Sequence, residues 1–459
     1  MFCGSPGVKI LIAFAALIAL TAGSTSCGSS SKKTQASSGI AFRAFISNPV
    51  SPLATGATNA TIQIMDALND QLSNSVVSLA SASASVTDAG LMVVSPKKDH
   101  TLLFSPSDTK LAVINNLQES VSTAVTLPGT TESMLVWSDN VSALVAVPSA
   151  AQPGQGAGVV DRIDLATGSV SASIFIPGAR YLVAAGSGTQ ILVFSDNSNR
   201  VTLLTPSLIG TGAQTNSQQP CSSFQTAACA VSAPGFDHPV WAAVSASGST
   251  VYVMNCGPEC GGTVSSISVL DLSPIASGGP PVVTATIPVP AASTGLLQGT
   301  VLYIAGSLPP QSCNPNGGLC GQLSVLDLSA GAANVNCVAQ PSNPIRACKV
   351  FAINDGYHNR VVMASNGQLF LGARNCTNIN TSSSVRGCLA IYDSAKASVV
   401  LPPDNGDVTG IEPIPDRNVV YLCEGGKLRI YDTTSDQLQT TPAQPNIIGA
   451  AIDVKVVDF

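Results

Sequence analysis

A chain of 459 residues is long enough for two or three average domains, yet it also fits one closed all-β propeller. With 45% hydrophobic and only 10% charged residues, 40 Gly and 30 Pro, the composition argues against a helical protein and for many short strands joined by tight turns. The net charge of -6 comes from 26 acidic and 20 basic residues, and the basic ones are scattered singly, which speaks against nucleic acid as a partner.

Lys9 precedes an uncharged run from Ile10 to Leu20, and eleven residues are too few for a membrane-spanning helix. The run suits the apolar region of a signal peptide, so residues 1–26 are expected to direct export. The small residues Thr21-Ala22-Gly23-Ser24-Thr25-Ser26 then lead to Cys27. This arrangement resembles the lipobox of bacterial lipoproteins, and the resemblance implies lipidation of Cys27 and a membrane anchor. Ser24 stands where the lipobox usually has Leu, and the alternative is plain cleavage near Ser24 or Ser26 with release of a secreted protein. Gly28 follows the cysteine in place of the Asp of lipoproteins kept at the inner membrane, so the resemblance points to the outer membrane. Residues 27–39, rich in Ser with Lys32 and Lys33, have the composition of a flexible tether.

From Ile40 onward the signal is repetition. Ser266-Ile267-Ser268-Val269-Leu270-Asp271-Leu272-Ser273 and Leu323-Ser324-Val325-Leu326-Asp327-Leu328-Ser329 are nearly one string, and the runs ending at Asp393 and Asp432 follow the same plan. Each is a short apolar strand closed by a residue whose side chain can accept hydrogen bonds from the turning backbone. Taking that residue as a marker gives eight units, at Asp66, Asn115, Asp164, Thr205, Asp271, Asp327, Asp393 and Asp432, of which Thr205 is the weakest. A strand precedes each marker strand, as in Thr250 to Asn255, Thr300 to Gly306 and Asn418 to Cys423. A small-residue strand such as Pro239 to Ser245 comes before that, and a strand ending in Pro, Val282 to Pro288, comes after. Four strands per unit make a propeller blade.

Over residues 237 to 330 the order of inner strand, Tyr252-Val253-Met254-Asn255, Val269-Leu270-Asp271 and Ile287-Pro288-Val289-Pro290 resembles the YVTN-type β-propeller repeat of exported bacterial proteins. The resemblance implies the fold and an extracytoplasmic place, and carries no shared catalytic residues. Residues 41 to 80 hold only three plausible strands, and the missing one is expected from Ile447 to Val457 at the far end of the chain. Residues 40–459 are therefore expected to form one all-β propeller of eight blades closed by the C-terminal strand, or of seven if the unit near Thr205 is an insertion.

Apart from Cys3 and Cys27, all eleven of the 13 cysteines lie after residue 220, and an exported chain would hold them as disulfides. Spacing suggests local pairs: Cys221 with Cys229, Cys256 with Cys260, Cys313 with Cys320, Cys337 with Cys348, and Cys376 with Cys388. Exchange between neighbouring blades is the alternative. Cys423 is left over and falls on a second strand, where a buried, inert thiol is expected. In this register Cys256/Cys260, Cys313/Cys320 and Cys376/Cys388 stiffen second-to-third loops, and Cys337/Cys348 an outer-to-inner connection. All four would then decorate one rim of blades 5 to 7.

No nucleophile elbow, P-loop or C-x-x-C pair is present, and the chain has only three histidines. Asp99-His100, Asp237-His238 and His358-Asn359 could each supply a base with a polar partner, but all three sit in turn-like segments and read as solvated loop histidines. Asp404-Asn405-Gly406-Asp407 offers oxygen ligands without the further carboxylates of a calcium loop. With only Trp137 and Trp241, the repeated tryptophan motif of quinone-dependent propellers is missing. The expectation is a monomeric binding module for an envelope protein or glycan, with no enzyme activity, cofactor or metal. An envelope scaffold without a small ligand is the second reading, and a propeller enzyme of lactonase or lyase type the third.

Overall fold

The computed structural model describes residues 36–458 except 53–57, 81–84, 212–213, 222–225, 232–234, 310–311, 314–318, 341, 377–386 and 404–405. The expected signal peptide, Cys27 and the first part of the tether lie outside the described residues, as do Asp404 and Asn405.

β-Branched runs separated by Gly and Asx turns fold into eight antiparallel sheets, each a blade of four strands, with a fifth strand on blade 4. The inner strands are Asp453–Val456 in blade 1, Met92–Val94 in blade 2, Ser133–Val136 in blade 3 and Ala179–Ala185 in blade 4. Pro239–Val244, Thr294–Gln298, Tyr357–Met363 and Val408–Pro413 follow in blades 5 to 8. Each packs beside the inner strand of the next blade, and that of blade 8 beside that of blade 1. Eight blades stand, not seven: the weak unit at Thr205 is a true blade, whose extra strand Gln214–Pro220 runs parallel to the outer strand Thr226–Val231.

All eight markers close third strands. Asp164 Oδ1 accepts from the backbone N–H of Ala166 and Thr167 at 3.0 and 2.8 Å, Asp271 Oδ1 from Ser273 at 2.8 Å, and Asp432 Oδ1 from Thr434 at 2.7 Å. Hydrogen bonds to the charged form, from the Ser273 and Thr434 hydroxyls ahead of the backbone for Asp271 and Asp432 and from Thr167 for Asp164, hold the three carboxyls below the ordinary range.

Because successive side chains on a strand point to opposite faces, each blade feeds two cores, one against each neighbour. Phe45 packs with Ile64 and Leu103 between blades 1 and 2, while Ile46 joins Tyr421 and Ile430 of blade 8. The C-terminal strand completes blade 1 by pairing Ala44 with Val456 and Ser47 with Asp453. Arg43, only 3% exposed, clasps the junction. Its guanidinium donates to Asp458 Oδ1 and Oδ2 at 2.7 and 2.8 Å, to Glu119 Oε1 at 2.7 Å and to the carbonyl of Asn116 at 2.6 Å.

Strands alternate in direction, so second-to-third and outer-to-inner loops emerge on one face and the marker turns on the other. Five disulfides join Cys221 to Cys229, Cys256 to Cys260, Cys313 to Cys320, Cys337 to Cys348 and Cys376 to Cys388, local pairs all. Three of them stiffen second-to-third loops of blades 5 to 7 as expected. Cys337–Cys348 does not share their face: Cys348 opens the outer strand Cys348–Ile353, so this bridge closes a third-to-fourth connection on the opposite side. The chain delays that strand with a short turn at Ala332–Asn334 and a bridge between Asn336 and Arg346.

The end of the expected tether is not free. Ser37 N donates to the carbonyl of Leu117 at 3.2 Å and Ser38 Oγ to Glu119 Oε1 at 2.6 Å, which pins residues 37–38 to the marker turn of blade 2. The chain thus enters the propeller on the face opposite the three disulfide loops.

Candidate binding site at the channel mouth

In blades 4, 5, 7 and 8 the inner strand slips register near its start, between Ala179 and Tyr181, Pro239 and Trp241, His358 and Arg360, and Val408 and Gly410. Such a bulge adds one residue and re-aims its neighbours. In blade 4 the added residue is Arg180, and in blade 7 it is Asn359. These strand starts lie on the face of the disulfide loops, so the bulges deliver polar and aromatic side chains to the mouth of the central channel.

Tyr181 of blade 4 and Tyr357 of blade 7 meet across the mouth, their hydroxyls 2.5 Å apart. Tyr181 also donates to Glu132 Oε2 at 2.9 Å. Since a carboxylate only accepts, the proton order is fixed: Tyr357 donates to Tyr181, and Tyr181 to Glu132. Burial, then the closeness of Tyr357 and Glu132, push the Tyr181 phenol far above its ordinary value. Arg180 donates to Glu132 Oε1 and Oε2 at 2.9 and 3.2 Å and to Asp196 Oδ1 at 2.9 Å. Burial alone would raise the Glu132 carboxyl, but Arg180 outweighs it and keeps the group ionised. The Arg180 guanidinium also lies 5.6 Å from the Tyr181 ring centre, and Trp241 meets that ring edge-on at 6.3 Å.

Above this floor opens a recess of about 360 Å³ lined by Arg180, Tyr181, Asp196, Asn197, His238, Tyr357 and the Cys260 bridge. That volume suits a small polar ligand or the end of a larger one. Glu259, in the turn Gly257–Cys260, lies half-buried nearby and accepts from Ser293 Oγ at 2.5 Å and Ser307 N at 2.9 Å. Burial raises its carboxyl despite these bonds.

Deeper in the channel, Lys455 sits 3.2 Å from Asp453 Oδ1 and 3.8 Å from Glu412 Oε2. Asp453 Oδ2 accepts from Met92 N at 2.9 Å and Glu412 Oε1 from Val456 N at 3.1 Å, which stitches the inner strands of blades 8, 1 and 2.

The three histidines part company. His100 lies beside Asp99 on the opposite face, where the Asp99 carboxylate accepts from both Asn140 and Ser95. His238 keeps its pairing with Asp237 at 3.0 Å and lines the recess, although Asp237 Oδ2 is also taken by Thr263 and Val264. His358 corrects the solvated reading: it lies in the inner strand of blade 7 and is 1% exposed, because the polar stretch Tyr357 to Arg360 forms a channel wall rather than a turn. Burial pushes its pKa down to about 4, against the backbone of Asn354 and Gly356. Cys423 is fully buried on the second strand of blade 8, and burial raises its thiol well above the ordinary value.

The aromatic and charged residues of the mouth escaped the sequence reading. Arg180-Tyr181 and Trp241 break the small-residue pattern of inner strands at matching positions, and that break was the available signal.

No protein family matches this chain, and no curated protein does. Among solved structures, the dihydro-heme d1 dehydrogenase NirN in complex with DHE is similar at a TM-score of 0.58 with 14% identity, over 92% of this chain and 76% of that one. Apo AztD from Citrobacter koseri is similar at 0.52 with 9% identity, over 90% of this chain and 97% of that one. At such identities the likenesses show the propeller fold alone. Five disulfides indicate a location outside the reducing cytoplasm. Among the described residues no helix is long and apolar enough to cross a membrane.

Proposed function

We propose that this protein is an exported binding module that seats part of an envelope glycan in the channel-mouth recess, held at the envelope through a lipidated Cys27. The observation that carries the reading is the tyrosine floor: Tyr181 and Tyr357 meet across the channel beneath Asp196, Asn197 and His238. Aromatic faces with a few fixed polar groups suit a sugar ring, which is apolar on its faces and hydroxylated at its edge. Arg180, Glu132 and Asp196 satisfy one another, so they order the wall rather than leave a free acid or base. The disulfide-bonded loops around the mouth lower the entropy cost of holding a fixed binding surface. The YVTN-like stretch supports an extracytoplasmic role.

An enzymatic reading has one observation in its favour, the Asp237–His238 pair at the edge of the recess. Asp237 is committed to closing the Thr263–Val264 loop, which supports a structural role for the pair.

Equilibrium titration with envelope oligosaccharides tests the binding reading. Tyr357→Ala is expected to weaken binding about tenfold or more, as loss of a stacking ring in a pocket does. Unchanged affinity in that variant contradicts a site at the channel mouth, and capture of an envelope protein without any glycan contradicts the ligand class.

A further inference from the structure

Two cations of blade 7, Arg360 and Arg374, lie beside the tyrosine floor and form no ion pair among the described residues, although Arg374 acts at longer range on Glu132 and Arg360 on Asp453. Arg360, on the inner strand, is opposite Gly372, and Arg374, two residues further along the second strand, is opposite Tyr357. Residues opposite one another, or two apart on one strand, share a face of the sheet, so Tyr357, Arg360 and Arg374 project to the same side. Gly372 makes the room: a Cβ there would stand 2.6 Å from Val408 Cγ1 and 3.1 Å from Arg360 Cβ.

Among the described residues Arg360 donates only to backbone carbonyls, to Thr409 O at 3.2 Å and Asn359 O at 3.1 Å. Arg374 Nε is buried and has no hydrogen-bond partner among the described residues. The nearby acids are already committed. Glu132 takes Arg180 and Tyr181, and Asp453 takes Met92 N, Val454 N and Lys455. Burial disfavours the charge on Arg360, with Asp453 opposing and Arg374 adding to the cost. Guanidinium groups with unused donors in a sheltered site fit a planar or tetrahedral anion through paired, charge-assisted hydrogen bonds.

We propose that Arg360 and Arg374 receive the anionic group of the ligand, so that the glycan unit taken at the channel mouth is an acidic sugar, carrying a carboxylate or a phosphate. The inference rests on the mouth being a sugar site. Tyr357 would stand between the two ends of the ligand, its ring toward the sugar and its neighbours toward the anion.

The test is calorimetric titration of the full chain with glucose, glucuronate and glucose 6-phosphate, repeated on Arg374→Gln and Arg374→Lys. One acidic sugar is expected to bind about tenfold or more tightly than glucose, the size of an added charge-assisted hydrogen bond. Which of the two binds identifies carboxylate or phosphate. Arg374→Gln removes the preference and leaves the affinity for glucose unchanged, and Arg374→Lys retains part of it. Equal affinity for all three sugars, or a preference that survives Arg374→Gln, overturns the anion site while the sugar site stands. No binding of any sugar to the unmodified chain overturns both.

Discussion

Burying an imidazole without a carboxylate partner makes folding sensitive to acid. His358 titrates near 6.5 in the unfolded chain and at about 4 in the folded one, so below 6.5 the unfolded state binds more protons. Its contribution is complete above pH 6.5 and lost as pH falls through 4. At about 1.4 kcal/mol per pKa unit, the loss by pH 4.5 is about 2.5 kcal/mol. Denaturant unfolding at pH 7.5 and 4.5 should therefore show a larger drop for the unmodified protein than for His358→Gln, by about that amount. Equal drops would mean that the ring is solvated after all. The residue also marks a limit of sequence reading: Tyr357-His358-Asn359-Arg360 has the polarity of a turn, and only the ring of neighbouring inner strands turns it into a buried wall.

At the scale of elements, the marker turns show what was legible. A carboxylate or amide two or three residues before its backbone donors is a local arrangement, so seven of the eight third-strand ends could be read from the sequence, whereas Thr205, whose hydroxyl donates to Gln190 instead, was the weak one. Asp432 accepts from both Thr434 N and Thr434 Oγ1, and Asp432→Ala should cost about 1 kcal/mol in thermal or denaturant unfolding, with Asp432→Asn retaining most of it. An Asn variant as unstable as the Ala variant would count against the turn as the cause. Non-local choices were less legible. The connection from Asp327 to Cys348 carries no strand pattern that says where the outer strand begins, and that is why the Cys337–Cys348 bridge was expected on the wrong face. The bulges at Arg180 and Asn359 leave no mark in the alternation of their strands, since each adds a single residue.

For the whole molecule, the ring is held where its ends meet. Arg43 joins the first strand, the C-terminal Asp458 and Glu119 of blade 2, and Arg417 of blade 8 grips Asp70 of blade 1 at 2.6 Å. Removing one partner of a buried ion pair leaves an uncompensated charge, so Arg43→Ala should lower stability by about 3 to 5 kcal/mol and open the junction first. Hydrogen exchange should then rise in residues 43–48 and 453–457 before the central blades respond, and uniform loosening would contradict the clasp. Ring closure was legible because three strands before residue 80 demand a fourth. The site was less so: beyond the break at Arg180-Tyr181 and Trp241, its residues Glu132, Arg180, Asp196 and Tyr357 come from three blades and share no spacing that a linear reading can find. The most direct measurement of the central claim is hydrogen–deuterium exchange with and without envelope oligosaccharides. Protection confined to peptides around Arg180–Val183, Asp196–Asn199 and Tyr357–Arg360 is the predicted result, and protection on the marker-turn face, or none at all, would contradict a ligand seat at the channel mouth.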